Sequence, residues 1–274
     1  MNWRAMWAII RKDLKVVLQN KGVLIPLIVV PLVLLGVLPA LAALAPMLQD
    51  VPGTSFSGME EFMQTMPAGL EEAVAGYNEM QSMIVLGLVY FLAPMYLILP
   101  LMVASVIAAD SFAGEKERKT LEALLYTPTT DRELLTAKLM AAWLPAVAVA
   151  WIGFVFYSVV ANAAAWSTMG RIFFPNAMWI LLAVWVAPAV AGLGLGITVL
   201  VSARAETFQE AYQLGGVIVL PILLLVVGQA TGVLYFSSWL VLALGLAFWV
   251  VDALVLWLGS RKFRRNELAA GRGA

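Results

Sequence analysis

Six stretches of the chain, 23–48, 83–109, 140–165, 177–201, 214–234 and 239–259, are apolar for long enough to cross a bilayer. A hydrocarbon core of about 30 Å takes roughly 20 apolar residues wound as a helix, so each stretch suffices for one crossing. The first two exceed a straight crossing, which predicts tilt, kinks or extension beyond the bilayer. The pattern therefore predicts an all-α polytopic membrane protein, a single transmembrane domain over residues 1–274 with six transmembrane helices.

The segments between the spans carry different periodicities. In the first 22 residues, Trp3, Trp7, Ile10, Leu14 and Val17 share one helix face at 100° per residue, and Arg4, Arg11 and Lys15 share another. Indoles on the apolar side and basic tips on the polar side suit a helix lying at the membrane interface, where lipid headgroups meet the acyl chains. Such an elbow helix is one reading; a continuation of the first span past Lys21 and Gly22 is the other. Residues 110–138 read as a helical hairpin. Leu121, Leu124 and Leu125 form an apolar stripe preceded by Glu115, Lys116, Glu117, Arg118 and Lys119 in alternating charge. Thr127-Pro128 breaks the helix, and Thr130 with Glu133 three residues on makes a capping box that starts the next. A capped amphipathic helix of this kind suits docking in a partner's groove, with solvated decoration as the alternative.

Charge orients the bundle. Loops rich in lysine and arginine stay cytoplasmic. Five basic residues precede the first span, five lie between the second and third, Arg204 follows the fourth and five follow the sixth, in the basic tail 260–274; only Arg171 falls on the other side. The opposite loop, 49–82, holds Asp50, Glu60, Glu61, Glu71, Glu72 and Glu79 and no basic residue. Both patterns place the N- and C-termini in the cytoplasm. In the outer loop, Ser57 with Glu60, and the spacing of Leu70, Val74 and Tyr77, predict short surface helices. No short apolar core with a small-residue cleavage site opens the chain, so the first span is expected to direct insertion.

Composition narrows the chemistry. The chain is 62% apolar and 12% charged, against about 25% charged in soluble domains. It has no cysteine and no histidine. That removes thiolate nucleophiles, serine–histidine hydrolases, histidine-ligated zinc and haem, and leaves no catalytic residue to nominate. The formal net charge of zero gives no reason to expect a nucleic-acid partner. No G-x-x-x-x-G-K-[ST] phosphate loop occurs, since the nearest run, Gly114 to Thr120, has Arg118 where a glycine is needed. The chain therefore carries no ATP-hydrolysing machinery of its own.

Asp252, the one acidic residue well inside a predicted span, is a candidate intramembrane ion site or a structural pair with a neighbouring helix. Nine prolines inside the spans predict kinks, read either as helix shaping or as hinges. Gly192 with Gly196, and Gly228 with Gly232, have the spacing that lets helices approach closely.

The run from Asp110 through Gly114-Glu115, the charged residues to Lys119, Thr120-Leu121, Leu124-Leu125 and Pro128 resembles a motif of the type-2 permeases of ATP-binding-cassette exporters, which include sodium- and drug-efflux permeases. Ile10-Arg-Lys-Asp-Leu14 and the proline-containing first span are similar to the start of those proteins. The resemblance implies a coupling helix around residues 115–125, with Gly114, Glu115, Glu117, Arg118, Thr120, Leu121, Leu124, Leu125 and Pro128 as its residues, docked in a separate cytoplasmic ATPase that binds ATP and Mg. It also implies two ATPases, a second permease copy forming a homodimer, and a prokaryotic-type inner (plasma) membrane location. The function it implies is export by alternating access. The outer loop of 34 residues, 49–82, departs from the large external domains of some sodium-exporting relatives. The competing functions are an ATP-independent secondary transporter or channel using Asp252, and a membrane anchor that recruits a signalling partner.

Overall fold

The computed structural model describes residues 3–45, 66–120 and 130–262, and among them every element is helical. The helices are α1 (Trp3–Gln19), α2 (Lys21–Leu44), α3 (Ala68–Val74), α4 (Glu79–Glu117), α5 (Asp131–Ala164), α6 (Trp166–Met169), α7 (Ala177–Ser202), α8 (Phe208–Ala230) and α9 (Ser238–Lys262). Six of them, α2, α4, α5, α7, α8 and α9, are long and apolar enough to cross a membrane.

The spans differ in how deeply the protein itself covers them. In α4 and α7 about 72% and 67% of the most apolar stretch is buried, against 17% in α2, α8 and α9. These two helices are the inner pair, packed on each other, and the rest present apolar side chains outward. Leu32, Val155, Leu224 and Leu246 are all more than half exposed. In water such surfaces would drive aggregation; against acyl chains they need no cover.

Two expected boundaries move for one reason. The second span was expected at 83–109, but α4 runs for 39 residues to Glu117. At 1.5 Å per residue that is almost 60 Å, well beyond the hydrocarbon core. The third span was expected at 140–165, but α5 starts at Asp131, where Thr130 and Glu133 close the expected capping box. No breaker lies between Glu133 and Met140. The two arms of the hairpin are thus the protruding ends of two spans. The first arm stops short of the expected helix over 115–125: the helix ends at Glu117 and Lys119 adopts φ 57. Leu121, Leu124, Leu125 and Pro128 lie outside the described residues.

The glycine pairs separate. Gly192 and Gly196 face α9, where an added Cβ would strike Asp252 and Val255. Gly232 instead sits beyond the end of α8 at φ 71, a left-handed turn that glycine adopts without a Cβ clash. It is a chain-reversal residue and not half of a helix-packing pair. The spacing of Leu70 and Val74 appears in α3, with both side chains buried.

Proline shapes the inner pair through a repeated device. Wide turns at Leu86–Phe91 and Leu182–Val186 precede Pro94 and Pro188. In a wide turn a carbonyl looks five residues ahead for its donor, and proline has none to give. Val89 O, five before Pro94, takes Trp179 Nε1 at 2.7 Å; Ala183 O, five before Pro188, takes Trp151 Nε1 at 3.0 Å. Tyr157 Oη donates to the neighbouring Leu88 O. Bilayer lipid offers no substitute donor, so these side chains make the kinks tolerable. Trp179→Phe leaves Val89 O unanswered in a buried setting and should cost about 1–3 kcal/mol. Thermal unfolding of the detergent-solubilised protein should show this loss, and a smaller one for Trp249→Phe, whose indole bond to Trp185 O is long and exposed.

Candidate functional site

The charged end of the bundle holds a cluster assembled from the motif of α4. A wide turn at Asp110–Gly114 ends the apolar part of α4 and turns Asp110, Ser111 and Glu115 inward, all at 5% exposure or less. Lys138, one turn into the apolar part of α5, meets them and is 1% exposed. Its ammonium donates to Ser111 O at 2.6 Å, Ser111 Oγ at 3.2 Å and Glu115 Oε2 at 2.6 Å. From α1, Asp13 accepts from Ser111 Oγ at 2.8 Å and lies 3.9 Å from Lys138 Nζ. Lys12 bridges Asp13 and Glu115 from the rim. Arg118 donates to Asp110 Oδ1 at 3.0 Å, and Asn20, at the α1–α2 break, reaches the same oxygen at 3.4 Å.

Three carboxylates thus face three cations, Lys12, Arg118 and Lys138. A charge buried at this depth is tolerable only with such partners, because a lone ion loses its hydration without recompense. Gly114 leaves room for this packing: a Cβ there would come within 3.0 Å of Asp110 Oδ1 and 3.1 Å of Arg118 Nη1, so both side chains would have to give way slightly. Burial pushes the Lys12 ammonium down, but hydrogen bonds and charge from Glu115 and Asp13 outweigh it and hold Lys12 above the ordinary lysine value. Its bridge is therefore intact at neutral pH.

The remaining motif residues point sideways. Lys116 Nζ donates to Ala205 O at 3.0 Å, and Glu117 Oε2 accepts from Phe208 N at 2.9 Å. Glu117 so answers an orphan amide in the first turn of α8, where the helix dipole also favours an anion. Thr207 caps the same helix from its own side. Thr120 folds back on Glu115 O. The stretch Glu115–Arg118 therefore joins α1, α4, α5 and the α7–α8 turn.

Glu115, Glu117, Arg118, Gly114 and Thr120 are brought together, with their polar contacts spent inside the chain. Lys138, Asp13, Lys12 and Ser111 were not singled out from sequence. One signal was available: Asp13 is the only acid in the first twenty residues and sits on the face of Met6, Ile9, Ile10 and Val17. That face packs on Leu134, Ala137 and Ala141 of α5. It is rotated roughly 60° from the expected one, counting 100° per residue. Trp3 and Trp7, at 69% and 50% exposure, stand on its shoulder, and Arg11 stacks over Trp7. Arg4, Arg11 and Lys15 are on the outer side of the helix. The extended backbone of Asn20, whose side chain accepts from Gly22 N, ends α1 and starts α2, so the two are separate helices.

Asp252 stands apart. It is 3% exposed in the seam between α9 and α7, and neither carboxylate oxygen has a hydrogen-bond partner among the described residues. Among the described residues no three acidic side chains converge as a metal cradle.

A family model described as ABC-2 family transporter protein matches residues 7–237. No curated protein and no solved structure matches.

Lys138→Met removes the buried cation and leaves Glu115 and Asp13 with the rim residue Lys12 as their shared cation. The expected loss is about 3–5 kcal/mol, seen as a drop in the thermal midpoint of the full chain in detergent. Lys138→Met with Glu115→Gln should cost less than the two single changes summed. Because Lys12 is held above its ordinary value, its share of the stability is complete below about pH 10.5 and fades only as pH climbs through the raised value. A pH series of thermal midpoints for wild type and Lys12→Met should converge only in strong alkali.

Proposed function

The chain belongs to the ABC-2 transporter family, membrane subunits that work with an ATPase subunit, and on that footing we propose that it is the permease of an exporter driven by a separate cytoplasmic ATPase. The observation that carries the reading is the Glu115–Arg118 stretch, which links four elements at the end of the inner helix α4. Residues 121–129 follow it directly, with the Leu121, Leu124 and Leu125 stripe and Pro128. A partner that grips this stripe pulls on α1, α5 and the α7–α8 turn through charge-assisted hydrogen bonds, not through α4 alone. A docking helix read by its leucines fits a groove in the ATPase, which binds ATP and Mg.

In this arrangement the charged end is cytoplasmic, as the lysine and arginine bias requires. Two permease copies and two ATPases form the working unit in the plasma (inner) membrane of a prokaryotic-type cell. Trp3, Arg4, Trp7, Arg11 and Lys15 keep α1 at the headgroup level, with indoles among the lipids and basic tips on anionic phosphates. Closure of the ATPases on nucleotide switches the bundle from inward-facing to outward-facing.

Leu124→Asp places a charge in the docking groove. Co-purification of the complex from membranes should then show more than about tenfold weaker ATPase association, since an unpaired charge in an apolar groove costs several kcal/mol. Unchanged association together with unchanged nucleotide-dependent transport would sink the coupling assignment. Uphill transport by this chain alone in liposomes, without nucleotide, would overturn the exporter reading in favour of a secondary transporter.

A further inference from the structure

The seam between α7 and α9 is built from reciprocal small and large residues. Gly245 of α9 receives the Trp185 ring, Gly196 of α7 receives Val255, and Gly192 of α7 receives Asp252. At the last of these, a Cβ added to Gly192 would lie 2.4 Å from Asp252 Oδ2 and 2.9 Å from Cγ, so the carboxyl group is pressed on the bare backbone of α7. The other α9 residues seen against α7 carry no charge: Gly245 and Val255 in the glycine contacts, and Trp249, whose indole reaches Trp185 O. Asp252 occupies the place where that pattern calls for an uncharged side chain.

Among the described residues nothing around it balances a charge. Both oxygens are buried and without a hydrogen-bond partner among the described residues. α7, the helix against which α9 packs, has no Asp, Glu, Lys, Arg or Tyr between Ala177 and Ser202. On α9 the nearest charged residues in sequence are Arg261 and Lys262, more than two turns away. The outward neighbours Val250, Val251 and Leu254 are apolar and exposed to the lipid side. A desolvated metal cation needs several oxygens, and one carboxylate cannot supply them. A bare carboxylate in this medium is the costliest state available. The proton is the one cation small enough to fit a seam this tight.

We propose that Asp252 is a proton-binding site in the α7–α9 seam, neutral while the seam is closed and ionised when water reaches it. The protonated carboxyl packs like the amide or aliphatic group it replaces, so the seam can close. Ionisation attracts water and favours separation of α9 from the inner helix α7. Proton occupancy and the spacing of these two spans are then one equilibrium. This goes beyond the permease reading, and its test needs no ATPase, so the two can fail separately.

The measurement is an infrared difference spectrum of the full chain in lipid at neutral pH, wild type minus Asp252→Asn. Asp252→Leu serves as a second reference of similar bulk in case the amide variant fails to fold. The expected signal is the C=O stretch of a protonated carboxylic acid that disappears in the variants. Thermal midpoints supply the second readout. Folding must take up a proton in wild type and not in Asp252→Asn, so wild type should lose stability relative to the variant as pH rises from about 5 to about 8. A carboxylate stretch at neutral pH, or a stability gap that is flat across this range, would overturn the proposal.

Discussion

A lysine ammonium with almost no exposure to solvent, Lys138, is the constraint around which the charged end of this protein is arranged. Its three hydrogen-bond acceptors are all on α4, and its long-range partner Asp13 is on α1. None of these helices could place such groups there by itself, because each charge is tolerable only when the others are present. The interaction is therefore more a specification of geometry than a source of net stability. It sets the relative register of α1, α4 and α5 to within the length of a hydrogen bond.

That register has mechanical consequences. α4 and α7 form the buried pair of the bundle, while α2, α8 and α9 lie outside with apolar faces turned to lipid. The polar run at the end of α4 ties the inner pair to the surface helix α1 and to the first turn of α8. Apolar packing between spans is weakly directional, since lipid competes for it on nearly equal terms. Charge-assisted bonds with fixed partners are directional, so the end of α4 holds α1, α5 and the α7–α8 turn in defined positions.

Inside the bilayer the same demand for satisfied polar groups works on the backbone. Proline and wide turns bend α4 and α7, and Trp179, Trp151 and Tyr157 answer the carbonyls that the bends release. The indoles belong to other helices, so each bend is also a specific contact between spans. Asp252 departs from this pattern: among the described residues it is the one carboxyl group with both oxygens buried and without a hydrogen-bond partner, and it sits against the bare backbone of Gly192.

The count of spans, their helical nature and the clustering of charge at one end were legible in the chain, because hydrocarbon thickness and the lack of water within it leave few alternatives. The Thr130–Glu133 cap was legible too, since its chemistry is local. Where α4 ends was not, nor that α5 runs unbroken from that cap into its span, because apolar length marks the membrane and both helices continue past it. Sequence marked the Gly114–Arg118 motif as special but could not say that its charges turn inward, because Lys138, Asp13 and Ser111 come from positions up to 125 residues apart. Periodicity likewise named an apolar face on α1 but missed that an aspartate belongs to the buried side. Ion pairing across helices depends on distance in space, and only the tertiary structure supplies it.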